Sequence, residues 1–260
     1  MERFLLFQLA GPLASWGEIA IGEDRHSAPY PGRSAVLGIL ASALGIRRSE
    51  ETRQRDLAAG YRIAVVLCDP GELLRDYHTT QVPSSTETKG WPLATRRDEI
   101  GVIEWSQRTK GKGGEAILSY RDYRCDGRWI VAVQATEAAT VPLEELRRAL
   151  LRPRFCLYLG RKACPPAMPL EPQLVEAPSV VAALGEVRFL AAGEAVRRKR
   201  RRQPRQRFRP SLYWEPGMAI GIEPRDTAQR WDDPVSRGRW QFQPRLELHT
   251  PLPAEVLPCS

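Results

Sequence analysis

Arg33-Ser34-Ala35-Val36-Leu37-Gly38-Ile39-Leu40-Ala41-Ser42-Ala43-Leu44-Gly45 is the stretch on which the reading of the fold turns. Val36, Leu37, Leu40, Ala41 and Leu44 recur at helical spacing with small residues between them, and Gly45 stands where a helix would stop, so the spacing predicts a first helix. Upstream, Phe4 to Leu9 is a short apolar run closed by Gly11-Pro12, which predicts a buried first strand. Downstream, Tyr61 to Cys68 carries the β-branched Ile63, Val65 and Val66 and predicts a second strand covered on both faces, after which Asp69-Pro70-Gly71 turns the chain.

From Arg75 to Asp126 the sequence becomes polar and glycine-punctuated, with Arg108-Thr109-Lys110-Gly111-Lys112-Gly113-Gly114 at its middle, the pattern of a long β-hairpin arm with a mobile tip. Trp129 to Thr136 predicts a third strand. Pro142 to Leu151 predicts a second helix opened by proline, with Leu143, Leu146 and Leu150 on one stripe, and Phe155 to Leu159 a fourth strand. This order is that of an α+β chain with a ferredoxin-like or RRM-like domain over residues 1–160, interrupted by an arm at about 75–126. The superfold hosts many functions and does not choose one. Residues 161–260, with Pro165, Pro166, Pro169, Pro172 and Pro178 close together, are expected to form a less regular C-terminal region.

Composition narrows the class. With 42% hydrophobic and 27% charged residues the chain is expected to fold, and it lacks an apolar stretch long enough for a membrane helix. The start runs directly into the first strand without a signal-peptide layout, so a cytoplasmic protein is expected. Five scattered cysteines without a Cys-x-x-Cys pair, beside three histidines, suggest neither a disulfide framework nor structural zinc, and no cofactor is expected. The formal charge of +8 resides in one place: removing the nine basic residues between Arg197 and Arg209 leaves −1. Any polyanion site on the body must therefore be a local patch.

Four short islands carry candidate chemistry. Gly11-Pro12-Leu13-Ala14-Ser15-Trp16-Gly17 is a tight loop able to offer backbone N–H groups and an indole to a phosphate or base, or simply a turn with Trp16 packed beneath it. Pro31-Gly32-Arg33-Ser34 enters the first helix, where orphan N–H groups favour a phosphate, although capping by Ser34 explains the same residues. Asp76-Tyr77-His78-Thr79-Thr80-Gln81 and Tyr120-Arg121-Asp122-Tyr123-Arg124 mix stacking and base-reading side chains suited to single-stranded RNA, or form cross-strand pairs of an exposed hairpin. Leu157-Tyr158-Leu159-Gly160-Arg161-Lys162-Ala163-Cys164-Pro165 puts two cations beside a flexible turn, as phosphate binding requires and as any solvated basic turn does. The candidate RNA-binding set is Trp16, Gly17, Arg25, Arg33, Ser34, His78, Thr79, Gln81, Lys110, Lys112, Tyr120, Arg121, Gly160, Arg161 and Lys162.

In this order and spacing the islands resemble the CasD family, the type I-E member of the RAMP group of CRISPR proteins. The resemblance covers about residues 1–170 and returns at Asp233-Pro234-Val235-Ser236 with Arg239, Phe242 and Arg245. It implies a Cascade subunit whose RRM-like domain holds the 5′ handle of the guide RNA, and whose thumb, here about 75–126, reaches the backbone subunit CasC and passes the guide. The large subunit CasA docks close by, CasE and CasB complete the assembly, and target DNA is met indirectly; no membrane is involved. Two features depart from the family: Pro-Gly-Arg-Ser-Ala stands where Pro-Ser-Lys-Ser-Gly is usual, and residues 197–224 match nothing in it.

The implied role is non-catalytic, since in that subtype CasE cuts the precursor. A metal-free ribonuclease would need a base, an acid and a cation around the scissile phosphate, for which His26 with Tyr30, or His78 with Lys110 or Lys112, are the available groups. A generic single-stranded RNA-binding protein is the third reading.

Overall fold

The computed structural model describes residues 1–20, 22–189, 208–253 and 256. In chain order its elements are β1 (Glu2–Ala10), the short strands β2 (Leu13–Ala14), β3 (Trp16–Gly17), β4 (Asp24–Arg25) and β5 (Ser27–Ala28), then α1 (Arg33–Leu44), α2 (Glu51–Ala59), β6 (Tyr61–Asp69) and β7 (Glu72–Val82). There follow α3 (Arg96–Lys110), β8 (Glu115–Cys125), β9 (Arg128–Ala135), α4 (Leu143–Leu151), β10 (Gln173–Ala177), α5 (Val180–Glu186), β11 (Ser211–Trp214), β12 (Asp226–Ser236) and β13 (Gln241–Pro251). Two compact units result, one of Met1–Ile19, Ser27–Leu74 and Tyr123–Ser260, the other of Ala20–His26 and Arg75–Asp122.

In the larger unit β1, α1, β6, β9, α4 and β10 form a β-α-β-β-α-β series whose strands lie in the order β10-β1-β9-β6, every neighbour antiparallel. That is the ferredoxin-like α+β arrangement anticipated from the sequence. Its fourth strand is not Phe155 to Leu159. β10 takes the edge beside β1, in register from Glu2↔Ala177 to Leu6↔Gln173. Leu159 instead bonds through its backbone to Ser15 and Cys164, so the stretch is a loop.

Beyond β6 the same sheet continues through β11, β13 and β12, giving seven strands. The C-terminal region thus holds more regular structure than its prolines suggested. Pro234 in β12 lies at a register shift of the ladder. Of the basic run, Arg197 to Arg207 lie outside the described residues.

The first helix forms as read, with Gly45 at φ 74° closing it and donating its N–H to Ala41 and Ser42 carbonyls. α2 is an addition to the sequence reading; only Leu57 of it is buried, so it carries little apolar periodicity. Cys68 at the end of β6 is disulfide-bonded, which the scattered cysteines did not suggest.

Alternation along β1 explains the core. Leu5, Phe7 and Leu9 face one side with Ile63, Val65, Trp129, Val131 and Val133, under Val36, Leu37 and Leu40 of α1 and Leu146 of α4. Phe4 and Leu6 face the other with Val66, Ile130 and Ala132 and with Leu212 and Trp214 of β11 in the same sheet, packed with Val180 and Leu184 of α5, Met218 and Ile220. Both faces of the sheet are therefore dry, which is why β1 reads as a continuous apolar run. Buried Gln8 interrupts it, its amide donating to the Pro169 carbonyl and Glu171 at 3.1 Å.

In the smaller unit, the stretch read as a hairpin arm contains α3, whose last residues Arg108 to Lys110 begin the stretch read as its tip. Thr95 and Asp98 form a reciprocal capping box, Asp98 and Glu99 sit in the first turn, Arg108 and Lys110 in the last, and Gly111 at φ 65° ends the helix. β7 and β8 pair below it.

Since Trp214 of β11 is buried in the second core, Trp214→Ala should cost about 3–5 kcal/mol in urea unfolding, as large-to-small core changes do. A loss under about 0.5 kcal/mol, typical of surface sites, would mean the C-terminal strands are an appendage.

Candidate nucleic-acid interface

Two of the four islands meet. The N–H of Ser15 donates to the Leu159 carbonyl at 2.9 Å, Leu159 donates to Cys164 at 2.7 Å, and Cys164 to Arg161 at 2.9 Å, folding residues 159–164 into a tight turn on the first loop. Gly160 lies at φ 88°, and any Cβ there would overlap the Ser15 carbonyl oxygen. The turn is held from the other side by the third island. Leu13 and Ala14 pair with Cys125 and Arg124, and Arg124 donates to the carbonyls of Ala28 at 3.3 Å and Ser27 at 3.2 Å. The Arg161 guanidinium lies 4.7 Å over the Tyr123 ring. Lys162 and Gly17 are exposed. Tyr123 and Arg124 belong to the third island but not to the candidate set; their places on a strand ending beside the first loop became visible only with the pairing.

Trp16, by contrast, is 1% exposed and meets Trp129 edge to face at 5.0 Å between ring centroids. It offers no stacking face and is a core residue; its indole N–H is buried without a partner among the described residues.

Arg33 is likewise internal, 8% exposed. Its guanidinium donates to Asp233 at 2.8 Å, to Glu215 at 2.6 Å, and to the carbonyls of Tyr61 and Ala58. Every fork of the side chain is used within the chain, so it has no geometry left for an external phosphate. Nor does the start of α1 await an anion. The Arg33 N–H donates at 2.7 Å to Asp232, which fills the phosphate position expected there. Gly32, not Ser34, is the N-cap, and a Cβ at Gly32 would collide with that Asp232 carboxylate. The family's hydroxyl is thus replaced by room for an internal carboxylate.

Asp232 also accepts from Arg245 at 2.6 Å, and Arg245 donates to Glu247 at 2.6 Å. Burial works against the Arg245 charge, but the bonds and charges of Asp232 and Glu247 more than offset it and hold the group firmly protonated. Burial raises Glu215 above the usual carboxylate range, with Arg33 pulling it partly back. The Asp233 and Arg245 of the C-terminal motif are therefore lattice members of the fold.

On the smaller unit the remaining candidates lie along the arm. His78 faces Asp76 at 3.5 Å, Thr79 and Gln81 are exposed, and Tyr120 lies 5.4 Å from Tyr77. Arg121 donates to Ser119 at 3.2 Å, and Arg25 donates to its own loop, at 2.5 Å to Gly22 and 3.1 Å to Asp24. Lys110 sits 5.2 Å over Trp105, and Lys112 is exposed just beyond α3. Asp122 accepts from Arg75 at 2.9 Å and contacts His26 at 3.1 Å; the Arg75 bond first and His26 after it hold the carboxyl below its usual range.

These features define an α+β protein of ferredoxin-like sheet order with an arm inserted between its second and third core strands and a basic glycine turn on its first loop. The family described as CRISPR-associated protein (Cas_Cas5) matches residues 4–246. The CRISPR system Cascade subunit CasD of Escherichia coli (strain K12) is 34% identical over 179 residues, 65% of this chain and 70% of that protein. Among solved structures, one titled CRISPR RNA-guided surveillance complex superposes at a TM-score of 0.64 with 25% identity, covering 97% of this chain and 92% of its counterpart. Another, titled Crystal structure of Cas protein, reaches 0.60 with 29% identity over 98% and 97% of the two chains. The chain belongs to the Cas5 family of CRISPR-associated proteins, with CasD among its relatives.

Because Arg33 neutralises buried carboxylates, Arg33→Met should lower unfolding free energy by about 3–5 kcal/mol. In the folded fraction the salt dependence of RNA binding should stay unchanged; a shallower slope would return Arg33 to the phosphate-binding set.

Proposed function

We propose that this protein is the subunit of a type I-E Cascade complex that grips the 5′ handle of the guide RNA without cutting it. The observation that carries the reading is the glycine turn at 159–164. Its backbone is fixed on the first loop, its Arg161 is oriented by Tyr123, and its Lys162 projects into solvent. A planar guanidinium held on an aromatic ring loses little freedom on meeting a phosphate, and a neighbouring ammonium adds charge without demanding geometry. The likeness to CasD supports the assembly, and with it the cytoplasm as the place of action. The arm is the part we assign to the backbone subunit CasC, with CasA, CasE and CasB as further neighbours and target DNA met through the complex.

Several features favour binding over catalysis. His26 and His78 each face a carboxylate, Asp122 and Asp76. Tyr30 donates to Glu247 at 2.6 Å inside the core, and burial followed by the Glu247 charge raises its pKa, so it is a poor proton donor.

Arg161→Ala combined with Lys162→Ala should weaken binding of a repeat-derived 5′-handle RNA and reduce the log–log salt slope by about 1.4, two single-strand phosphate contacts. An unaltered slope moves the site elsewhere. Incubated in EDTA with repeat RNA, the purified protein should leave the RNA intact. Specific cleavage lost in His26→Ala or His78→Ala would make it a ribonuclease.

A further inference from the structure

The turn between β12 and β13 carries a set of cations apart from the Gly160 turn. Arg237 reaches back to α1 and donates to the Ser34 carbonyl at 2.5 Å. Its Nε is buried with no hydrogen-bond partner, and no carboxylate lies within ion-pairing distance of it among the described residues. Burial, and then the charge of nearby Arg48, pull its pKa down to about 10. Arg48 itself lies 4.3 Å over the ring of Trp240, which is 55% exposed and backed by Phe242 at 6.2 Å. Trp240 is held at φ 53°, a region bulky side chains seldom adopt. Arg239 projects from the same turn into solvent.

The nearest acids are committed elsewhere. Glu51 accepts from Ser236 at 2.8 Å, and Glu50 accepts from the Arg47 N–H at 2.6 Å and pairs with Arg53 at 2.7 Å. Arg237 is therefore a partly buried guanidinium with the charge of exposed Arg48 nearby and no carboxylate in ion-pairing contact among the described residues, an arrangement that costs free energy unless an external anion completes it. A buried donor left over in an otherwise satisfied fold calls for such a ligand.

We propose that Arg48, Arg237 and Arg239 bind a phosphodiester of a single-stranded nucleic acid, with a base stacked on the open face of Trp240. The aromatic platform selects this ligand over a free anion: more than half of Trp240 is exposed and offers a ring for a base, while the cations take the backbone between bases. The site is separate from the Gly160 turn. Tyr158, the residue two places before that glycine, is close enough to Arg237 to act on its charge, so the loop bearing the turn also borders this site. A strand gripped at Lys162 has this as its next anchor.

The test uses the full-length protein and a fluorescein-labelled 12-nucleotide oligoribonucleotide, read by anisotropy across a salt series, with a deoxyribo-oligonucleotide of the same sequence as a second arm. Arg48 and Trp240 are exposed, so their truncation spares the fold. Arg48→Ala should shallow the salt slope by about 0.7, one single-strand phosphate contact. Trp240→Ala should weaken binding about fivefold or more with little change in slope, as loss of one stacked base does. Equal losses on both oligonucleotides indicate recognition of phosphate and base alone; a larger loss on the ribose strand adds a 2′-hydroxyl contact. If both variants bind as wild type while the Arg161→Ala, Lys162→Ala double variant does not, this proposal fails and the function proposed above stands. If all bind as wild type, both fail. If Arg48→Ala and Trp240→Ala leave RNA binding intact but reduce assembly with other Cascade subunits, the face is a protein contact and the nucleic-acid assignment is overturned.

Discussion

Burial of apolar side chains on both faces of the central sheet is the constraint from which the remaining features follow. In an RRM the exposed sheet face carries the aromatics that stack on bases. Here Phe4, Leu6, Val66, Ile130 and Trp214 on that face are packed with α5 and Ile220, so the same sheet order serves as a dry scaffold. In the function we propose, the loops beyond the strand ends are where this scaffold meets RNA. The glycine turn at 159–164, the first loop and the end of β8 are gathered there by backbone hydrogen bonds. Rigid strands thus position a short, precise contact surface, as loops on a stable core usually do.

A second constraint operates through charge. The start of α1 is an anion site in general physical terms, and this chain fills it from within, with Asp232 on the helix N–H and Asp233 and Glu215 on Arg33. Arg245 completes the network by holding Asp232 in place. These bonds tie the C-terminal hairpin to the first helix, about 200 residues earlier in the chain, and their net value is modest because desolvation opposes them. Removing one partner is another matter, since a lone buried charge remains.

Much of the fold was legible because the decisive elements are periodic: β1, α1, β6, β9 and α4 all lie where apolar spacing put them. The fourth core strand was not, because Gln173 to Ala177 is short and lies among prolines, whereas Phe155 to Leu159 has the right composition but spends its backbone on Ser15 and Cys164. α3 was hidden behind the glycines that follow it, although Thr95 and Asp98 mark its start. For the site, local motifs marked a basic turn at Gly160, which the structure packs on the first loop, but placed Trp16 and Arg33 on the surface when both are internal. Nothing near Arg33 in sequence reveals that carboxylates from a distant hairpin occupy it. Equally, Trp240 and Arg237 gave no signal, because an uncompensated cation is a property of three-dimensional neighbours.

Ultraviolet crosslinking of the protein to its guide RNA, followed by peptide mass spectrometry, tests the central claim most directly, that a dry sheet leaves the loops to hold the RNA. Crosslinks at Tyr123, Tyr158 and the peptide bearing Arg161 and Lys162, with none at Trp16, Trp129 or Trp214, are the expected result. Crosslinks concentrated at Trp214 or along α5, with the Gly160 turn silent, would contradict the account.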